Sequence, residues 1–409
     1  MTKTTMFVFS SLVALALFGC DDSSNSQTLD TQDALTDQIQ EDSDLQEGSD
    51  TQVPVCSVRW ADVDPASAVQ NDVTTLGVYA NTITIDGEFA YVVNSGDNTI
   101  QRYSTADPAG SSNKRFVDVG TNKNPFDLAI YGDRIYITNS FEGSITVAAL
   151  STGAVLSTTI LPELVSPQDI VATEGYLLVA NTEFTFPAPS ERFGSLVVLS
   201  RSDTPALVNR IPTTQSNPQF VRVVGDTVYV VNSGRTDYDM DTGIVSPGTD
   251  GGLDTLALST LAAANGVDGN VSLPPSGLVG NPGTPTIVGT TMFLGSGTAS
   301  VLFQIDLSTL SAVRGTNAPI VLGDTGTSGF AVPSLGPDGL LYVADFNNDK
   351  VSVFDPACGA VIGQPIGVGS SAEMMEGPFD MAWDASGKAH IVMSVSSSLT
   401  VLDPSSLTH

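Results

Sequence analysis

Residues 89–104 read FAYVVNSGDNTIQRYS, and the hexapeptide YVVNSG within this stretch returns at residues 229–234. A nearly continuous apolar run that ends in a polar turn is typical of a β-strand buried on both faces. Such runs recur along the chain at intervals of 42 to 64 residues, and each ends in a small polar residue. These residues are Asn94, Asn139, Asn181, Asn232, Ser296, Asp345 and Ser394. Seven units at a similar period indicate a repeat architecture.

The pattern inside each unit is also constant, as residues 124–161 illustrate. A lead-in strand (NPFDLAIYG) precedes the buried run (RIYITNS), an alternating strand (SITVAAL) and a fourth strand (AVLSTTIL). Four antiparallel strands repeated seven times predict an all-β fold, a seven-bladed β-propeller of four-stranded antiparallel blades. The last unit ends near residue 404 without a fourth strand. We therefore expect residues 53–64, or the adjoining stretch up to Tyr79, to close the ring as an N-terminal strand of blade seven.

The recurring YVVN and YITN runs, with their spacing, resemble the YVTN-type seven-bladed propellers, a group close to the NHL and lactonase-like propellers. The resemblance covers about residues 70–405. It implies the propeller fold. The resemblance also leaves open one enzymatic activity, a metal-dependent hydrolysis of the lactonase type.

The first twenty residues, MTKTTMFVFSSLVALALFGC, join a short polar start to an apolar run that is too short to span a bilayer. They resemble a bacterial lipoprotein signal peptide with a lipobox, which implies lipidation of Cys20. An ordinary secretory signal and an uncleaved anchor are the alternatives. Residues 21–50 hold ten acidic and no basic side chains, which predicts a disordered acidic linker over residues 21–52 and the propeller over residues 53–409. We expect a lipid-anchored protein of the bacterial cell envelope that faces the periplasm or the cell surface.

The chain is strongly acidic, with 15 Lys and Arg against 45 Asp and Glu and a formal charge of −30. This balance argues against a nucleic-acid partner, because phosphate binding depends on basic residues. The two histidines, His390 and His409, are too few for a His-rich zinc or haem site. With Cys20 lipidated, Cys56 and Cys358 remain as a pair in an oxidising compartment. We predict a disulfide between them, since they fall on the neighbouring blades seven and six. Two unpaired cysteines too far apart to bridge are the alternative.

Aspartates follow the lead-in prolines at Asp127, Asp169 and Asp380. The innermost strand of a propeller blade begins at the central tunnel, so we expect these three side chains near one tunnel mouth. Carboxylates that converge there are candidate ligands for Ca²⁺. The alternative is that each aspartate caps its own loop.

Two insertions interrupt the period, at residues 182–195 in blade three and 233–254 in blade four. Both join the second strand to the third, on the same face as the connections between blades. Long loops on a rigid scaffold commonly bind partners. We therefore predict a binding face there, formed by Phe184, Phe186, Phe193, Arg235 and Tyr238.

The second insertion contains DYDMDTG, with alternating carboxylates at Asp237, Asp239 and Asp241. This spacing is like the start of a calcium loop. It departs from the EF-hand pattern because Thr242 and Gly248 stand where that loop needs Gly and Glu. A calcium site of another kind and a solvated acidic loop remain as alternatives.

Catalytic motifs are absent from the sequence: it has no G-x-S-x-G elbow, no Gly-rich phosphate loop and no C-x-x-C. The sequence favours a monomeric, non-catalytic binding or scaffold module whose partner is a protein or a small envelope ligand. The alternative is a metal-dependent hydrolase of the lactonase or gluconolactonase type that uses carboxylates at the tunnel mouth. An electron-transfer accessory role, as in quinoprotein propellers, would need a cofactor motif that the sequence lacks.

Overall fold

The chain forms a ring of seven antiparallel sheets, which confirms the predicted all-β propeller. The structure is a computed structural model, and it describes residues 65–184, 193–238, 245–322, 330–371 and 374–407. Within a blade the strands stand in chain order from the inner to the outer edge. Blade 7 differs, because its outermost strand is the first strand of the described chain.

The strands of the first three blades have similar lengths. The first strand of the described chain is β1 (Val69–Thr75). Blade 1 contains β2 (Ala80–Asp86), β3 (Phe89–Asn94), β4 (Thr99–Ser104) and β5 (Lys114–Asp118), and blade 2 contains β6 (Pro125–Tyr131), β7 (Arg134–Asn139), β8 (Ser144–Ala149) and β9 (Val155–Ile160). Blade 3 contains β10 (Pro167–Ala172), β11 (Tyr176–Asn181), β12 (Ser195–Ser200) and β13 (Leu207–Pro212).

Blades 4 and 5 each carry an addition to the four-stranded plan. Blade 4 contains β14 (Pro218–Val224), β15 (Thr227–Asn232), the hairpin of β16 (Thr236–Tyr238) and β17 (Val245–Pro247), then β18 (Gly251–Ala257) and β19 (Gly269–Leu273). Blade 5 contains β20 (Pro282–Val288), β21 (Thr291–Ser296), β22 (Val301–Asp306), β23 (Ser311–Arg314) and the short β24 (Ile320–Val321), which pairs with β22.

The last two blades return to the plain pattern. Blade 6 contains β25 (Ala331–Leu335), β26 (Leu341–Asp345), β27 (Lys350–Asp355) and β28 (Ala360–Gly367), and blade 7 contains β29 (Pro378–Trp383), β30 (Ala389–Met393), β31 (Ser398–Leu402) and β1. The described ranges contain three short 3₁₀ helices, which are η1 (Pro65–Ala68), η2 (Leu258–Ala263) and η3 (Pro404–Ser406). None of the helices in these ranges has the length and apolar character needed to cross a membrane.

The two faces of the ring carry different kinds of loop. Turns between second and third strands lie on one face with the connections between blades, and we call this the loop face. Turns between first and second strands and between third and fourth strands lie on the opposite face, which we call the turn face. The inner strands of neighbouring blades contact one another around the whole ring.

An N-terminal strand closes the ring, as predicted. Strand β1 pairs with β31, with Val69 opposite Leu402 and Thr75 opposite Ser398. The closing strand therefore lies in the stretch up to Tyr79, whereas residues 53–64 lie outside the described residues. Because β1 runs from the turn face to the loop face, η1 lies at the turn face, where it contacts η3 and β28.

A buried polar chain reinforces the seam between blades 7 and 1. The hydroxyl of Tyr103 lies 3.1 Å from Nδ1 of His390, and Nε2 of His390 lies 3.1 Å from a carboxylate oxygen of Asp384. His390 is 1% exposed, and its burial lowers the pKa of the imidazole, which favours the neutral form. The role of this histidine is therefore to link the first and last blades.

The hydrophobic core lies between the blades rather than inside any one of them. The second strand of most blades is buried at nearly every position, whereas the outer strand β9 is largely exposed. Tyr91 packs with Ile135 and Ile137 of the next blade, and Tyr136 packs with Leu177 of the blade after that. The tyrosines of the repeated runs therefore serve inter-blade packing.

The two copies of YVVNSG make equivalent links to the following blade. The hydroxyl of Ser95 donates to the carbonyl of Pro125 at 2.5 Å, and that of Ser233 donates to the carbonyl of Pro282 at 2.8 Å. Each proline is the first residue of the next inner strand. The preceding Asn94 accepts a hydrogen bond from the backbone N–H of Gly77, in the connection that leads into its own blade. The hexapeptide is therefore a structural joint within and between blades.

Removal of either serine hydroxyl should destabilise the ring. We expect Ser95→Ala and Ser233→Ala each to lower the free energy of unfolding by about 1–3 kcal/mol, because a buried carbonyl loses its donor. The two effects should add, since the sites lie in different blades. Denaturant unfolding measures this, with the exposed Ser111→Ala as the control. Equal stability of all three variants would contradict the assigned role of the serines.

Candidate functional site

A cavity of about 540 Å³ occupies the centre of the ring, and inner strands of all seven blades line it. Its wall includes the predicted aspartates Asp127, Asp169 and Asp380 together with Arg222. Hydroxyl groups of Thr82, Thr84, Thr284, Thr286 and Ser334 add to the polar lining. The three aspartates therefore lie at the tunnel, as the sequence predicts, whereas Arg222 was not predicted.

A backbone irregularity explains why aspartates stand at these positions. Most inner strands have a register shift close to their start, as between Pro125 and Leu128 of β6. Such a bulge leaves a backbone N–H without a partner in the sheet. In three blades an aspartate of the preceding blade accepts that N–H. The pairs are Asp380 Oδ2 with Ile83 N at 2.9 Å, Asp127 Oδ2 with Ile170 N at 3.2 Å and Asp169 Oδ2 with Val221 N at 2.8 Å.

Blade 5 supports this explanation, because both its backbone donor and the aspartate that would accept it are absent. Its corresponding residue is Pro285, which has no N–H to offer, and blade 4 has Phe220 where blades 2, 3 and 7 have aspartate. The donor and its acceptor are thus missing together. The alternative from the sequence, that each aspartate caps its own loop, is wrong for these bonds, because the carboxylates reach across to the next blade.

The cavity wall carries more acidic than basic groups. Nη1 of Arg222 lies 2.7 Å from Oδ2 of Asp169, and Arg222 is the only basic residue among the described residues of the lining. Burial raises the pKa of Asp127 well above its ordinary value, and the neighbouring charge of Asp169 raises it further. Burial likewise raises the pKa of Asp380 to about 7.

The tunnel aspartates do not assemble into a metal cage. Across the described ranges, no three side chains of His, Cys, Asp or Glu gather closely enough to hold a metal ion. Asp127, Asp169 and Asp380 each use a carboxylate oxygen for a backbone N–H. The predicted calcium site at Asp237, Asp239 and Asp241 stays untested, because Asp239 and Asp241 lie outside the described residues. Asp237 itself forms an ion pair of 2.8 Å with Arg235.

An aromatic cluster borders the cavity on the side of blades 6 and 7. The ring centroids of Phe330 and Phe379 are 5.3 Å apart, and those of Phe346 and Phe379 are 5.9 Å apart. Phe330 and Phe379 both line the cavity. These rings were not predicted from the sequence. The position of Phe379 directly after a lead-in proline was the available signal, because Phe126 follows the same pattern in blade 2.

The predicted binding face is only partly within the described residues. Phe193 is 59% exposed at the loop face, Phe184 is half-buried, and Arg235 lies in the hairpin of blade 4. Phe186 lies outside the described residues, and for Tyr238 the backbone alone is described, as part of β16. The structure adds Phe141 and Met374, which are 51% and 72% exposed on the same face.

The cysteine prediction is supported at one end. Cys358 lies in the turn between β27 and β28, at the turn face, and it forms a disulfide. The other two cysteines of the chain, Cys20 and Cys56, lie outside the described residues, so pairing of Cys358 with Cys56 stays a prediction. Strand β1 begins at Val69, so the described closing strand does not include Cys56.

No protein-family model matches the chain, and no curated protein matches it. Solved structures do match. Hydrazine synthase of Kuenenia stuttgartiensis shows 13% identity and a TM-score of 0.61 over 80% of this chain and 96% of that one. Virginiamycin B lyase from Staphylococcus aureus, in an inactive variant with quinupristin, shows 10% and 0.59 over 82% and 98%. BamB from Moraxella catarrhalis shows 13% and 0.52 over 81% and 97%. At such low identities the likeness shows the β-propeller fold alone.

The raised pKa of Asp380 should appear in the pH dependence of stability. An acid whose pKa is about 7 in the folded protein and about 4 when unfolded favours folding at acid pH. That contribution is lost as the pH rises from about 4 to about 7, at up to about 1.4 kcal/mol per pH unit. Asp380→Asn should remove this component from the free energy of unfolding, measured by denaturant titration across that range. The exposed Asp86→Asn serves as control. An unchanged slope in Asp380→Asn would contradict the assignment.

Proposed function

We propose that this chain is a non-catalytic binding module of the bacterial cell envelope, which presents the loop face of its propeller to a protein partner. One observation carries the proposal. Among the exposed apolar residues of the described ranges, the aromatic and methionine side chains Phe141, Phe193 and Met374 all lie on the loop face. Aromatic residues and methionine are enriched in the centres of protein interfaces.

Binding has better support than hydrolysis. A metal-dependent hydrolase of the lactonase type would need tunnel carboxylates that are available to a metal ion and to water. Asp127, Asp169 and Asp380 instead accept the backbone donors of neighbouring blades, so their removal would affect the ring itself. These contacts leave the carboxylates with a structural task and disfavour the hydrolase alternative.

The envelope location rests on the N-terminal sequence. The signal-like residues 1–20 and the acidic residues 21–52 suit a lipid anchor at Cys20 on a solvated tether. The disulfide of Cys358 supports an oxidising compartment, because disulfides are rare in the bacterial cytoplasm. We include the Cys56–Cys358 pair in the proposal, since both η1 and the turn of Cys358 lie at the turn face.

The anchor can be tested by metabolic labelling with an alkyne fatty acid. We expect the wild-type chain to take up the label and to sediment with membranes. Cys20→Ala should lose the label and appear in the soluble fraction of the envelope. Cys358→Ser is the matched control and should keep the label. Membrane association of Cys20→Ala with label retained would contradict a lipid anchor at this residue.

The binding face can be tested by site-specific photo-crosslinking in cells. A photoreactive phenylalanine replaces Phe141 or Phe193 on the loop face and, as controls, the exposed Val224 or Leu335 on the turn face. We expect a discrete protein adduct from the loop-face positions and none from the turn-face positions, because the partner covers one face alone. Adducts of equal yield from both faces, or from neither, would refute the proposed face.

A further inference from the structure

The outer strand of blade 2 leaves an unprotected sheet edge. Among the outermost strands of the seven blades, which all lie within the described residues, β9 is the one without a charged residue, a proline or a glycine. Charged residues occur in β1, β5, β13 and β23, proline in β13 and β28, and glycine in β19 and β28. Charged residues and proline oppose the pairing of an edge strand with another chain, and glycine weakens a strand. Strand β9 therefore lacks the usual protection of an edge.

The register of β9 leaves two of its residues with free backbone groups. The N–H of Leu161 donates to the carbonyl of Gly143 at 3.1 Å, directly after the pair of Ile160 with Ser144. Backbone bonds alternate along an antiparallel pair, so the N–H and C=O groups of Ile160 and Thr158 point away from β8. These groups have no hydrogen-bond partner among the described residues. They offer donors and acceptors to a further strand.

The side chains of β9 present an apolar surface at this edge. Ile160 is 63% exposed, and Val155 and Leu156 are each almost half exposed. Threonine at position 158 is exposed as well, and β-branched residues of this kind favour extended backbone. An extended chain paired along β9 would remove part of this apolar surface from water, which stabilises association. The edge therefore fits an extended segment with apolar side chains.

Carboxylates lie near both ends of β9. Towards the turn face, the hydroxyl of Ser157 donates to the backbone carbonyl of Asp203, and the carboxylates of Asp203 and Asp133 share the guanidinium of Arg134. At the loop-face end, Glu163 follows the strand and forms no ion pair among the described residues. Three carboxylates therefore accompany one guanidinium at this edge. They favour basic residues at the ends of a partner segment, because opposite charges attract across an interface.

A second copy of this chain fits the edge less well. Two copies joined through β9 would bring the same carboxylates together, on chains that each carry a formal charge of −30. Paired strands of six residues also form a small contact, whereas stable interfaces commonly bury about 1,200 Å² or more. The charge and the size of the contact favour a basic, extended segment over self-association.

We propose that the outer edge of blade 2 binds an extended segment of a partner protein by strand addition, with apolar side chains inside the segment and basic residues at its ends. The backbone groups of Thr158 and Ile160 pair with the segment, and the carboxylates of Asp203 and Glu163 select its charge. In strand addition, main-chain hydrogen bonds provide affinity and side chains provide specificity. The edge lies on the rim of the ring, apart from the loop face, and does not depend on partner binding there.

Fluorescence anisotropy of a labelled heptapeptide, Lys-Val-Thr-Val-Thr-Val-Lys, tests the edge on the full-length protein. We expect saturable binding at physiological ionic strength. The same peptide N-methylated at its five central residues keeps its charge but lacks the N–H donors, so it should bind about tenfold or more weakly. Absence of saturable binding, or equal binding of the two peptides, would overturn the proposal.

Variants of the edge test where the peptide binds. Thr158→Pro removes an outward N–H and should weaken binding by about tenfold or more, whereas Thr158→Ala keeps that N–H and should bind as the wild type does. If Thr158→Pro folds poorly, Ile160→Lys opposes the basic peptide by charge, and the exposed Val224→Lys on the turn face is its control of equal charge. Unchanged affinity in Thr158→Pro and Ile160→Lys, or equal losses in Ile160→Lys and Val224→Lys, would exclude the edge.

The oligomeric state distinguishes the other possible occupant. Sedimentation velocity should show a monomer for the wild-type protein without peptide. A dimer that Thr158→Pro dissociates and Thr158→Ala retains would assign the edge to a second copy of the chain and overturn the proposal.

Discussion

The ring depends on hydrogen bonds from the side chains of one blade to the backbone of the next inner strand. A bulge near the start of an inner strand leaves a backbone N–H without a partner in its own sheet. Asp127 and Asp169 accept such donors, and Ser95 and Ser233 donate to the carbonyl of the first residue of the next inner strand. These polar residues of the repeat are therefore explained by the hydrogen bonds between neighbouring blades, without reference to a ligand.

The architecture could be predicted because the buried second strand leaves a strong signal. The runs around Asn94 and Asn232 are apolar at nearly every position, and their recurrence sets the number of blades. The closing strand was harder to locate. Strand β1 reads VQNDVTT and is half exposed, so its hydrophobic pattern could not distinguish it from the chain before it. Outer strands face solvent, and their sequences are correspondingly free to vary.

The candidate site was predictable in position but not in contacts. The lead-in prolines placed Asp127, Asp169 and Asp380 at the tunnel, and the structure agrees. Which atom each carboxylate meets depends on a bulge in a different blade more than forty residues away, and local sequence does not encode that register. Arg222 was missed for the same reason, since its importance comes from Asp169 of the neighbouring blade.

The position of η1 at the turn face determines how a mechanical force would enter the molecule. On the anchoring proposed above, the tether leaves the ring at the beginning of β1, and a partner held at the loop face sits at the opposite end of that strand. Tension between membrane and partner would act along β1 and shear its hydrogen bonds with β31 together rather than open them one after another. The strand that closes the ring is also the strand that would bear this tension. We expect the disulfide of Cys358, if it joins Cys56, to transfer part of it to blade 6.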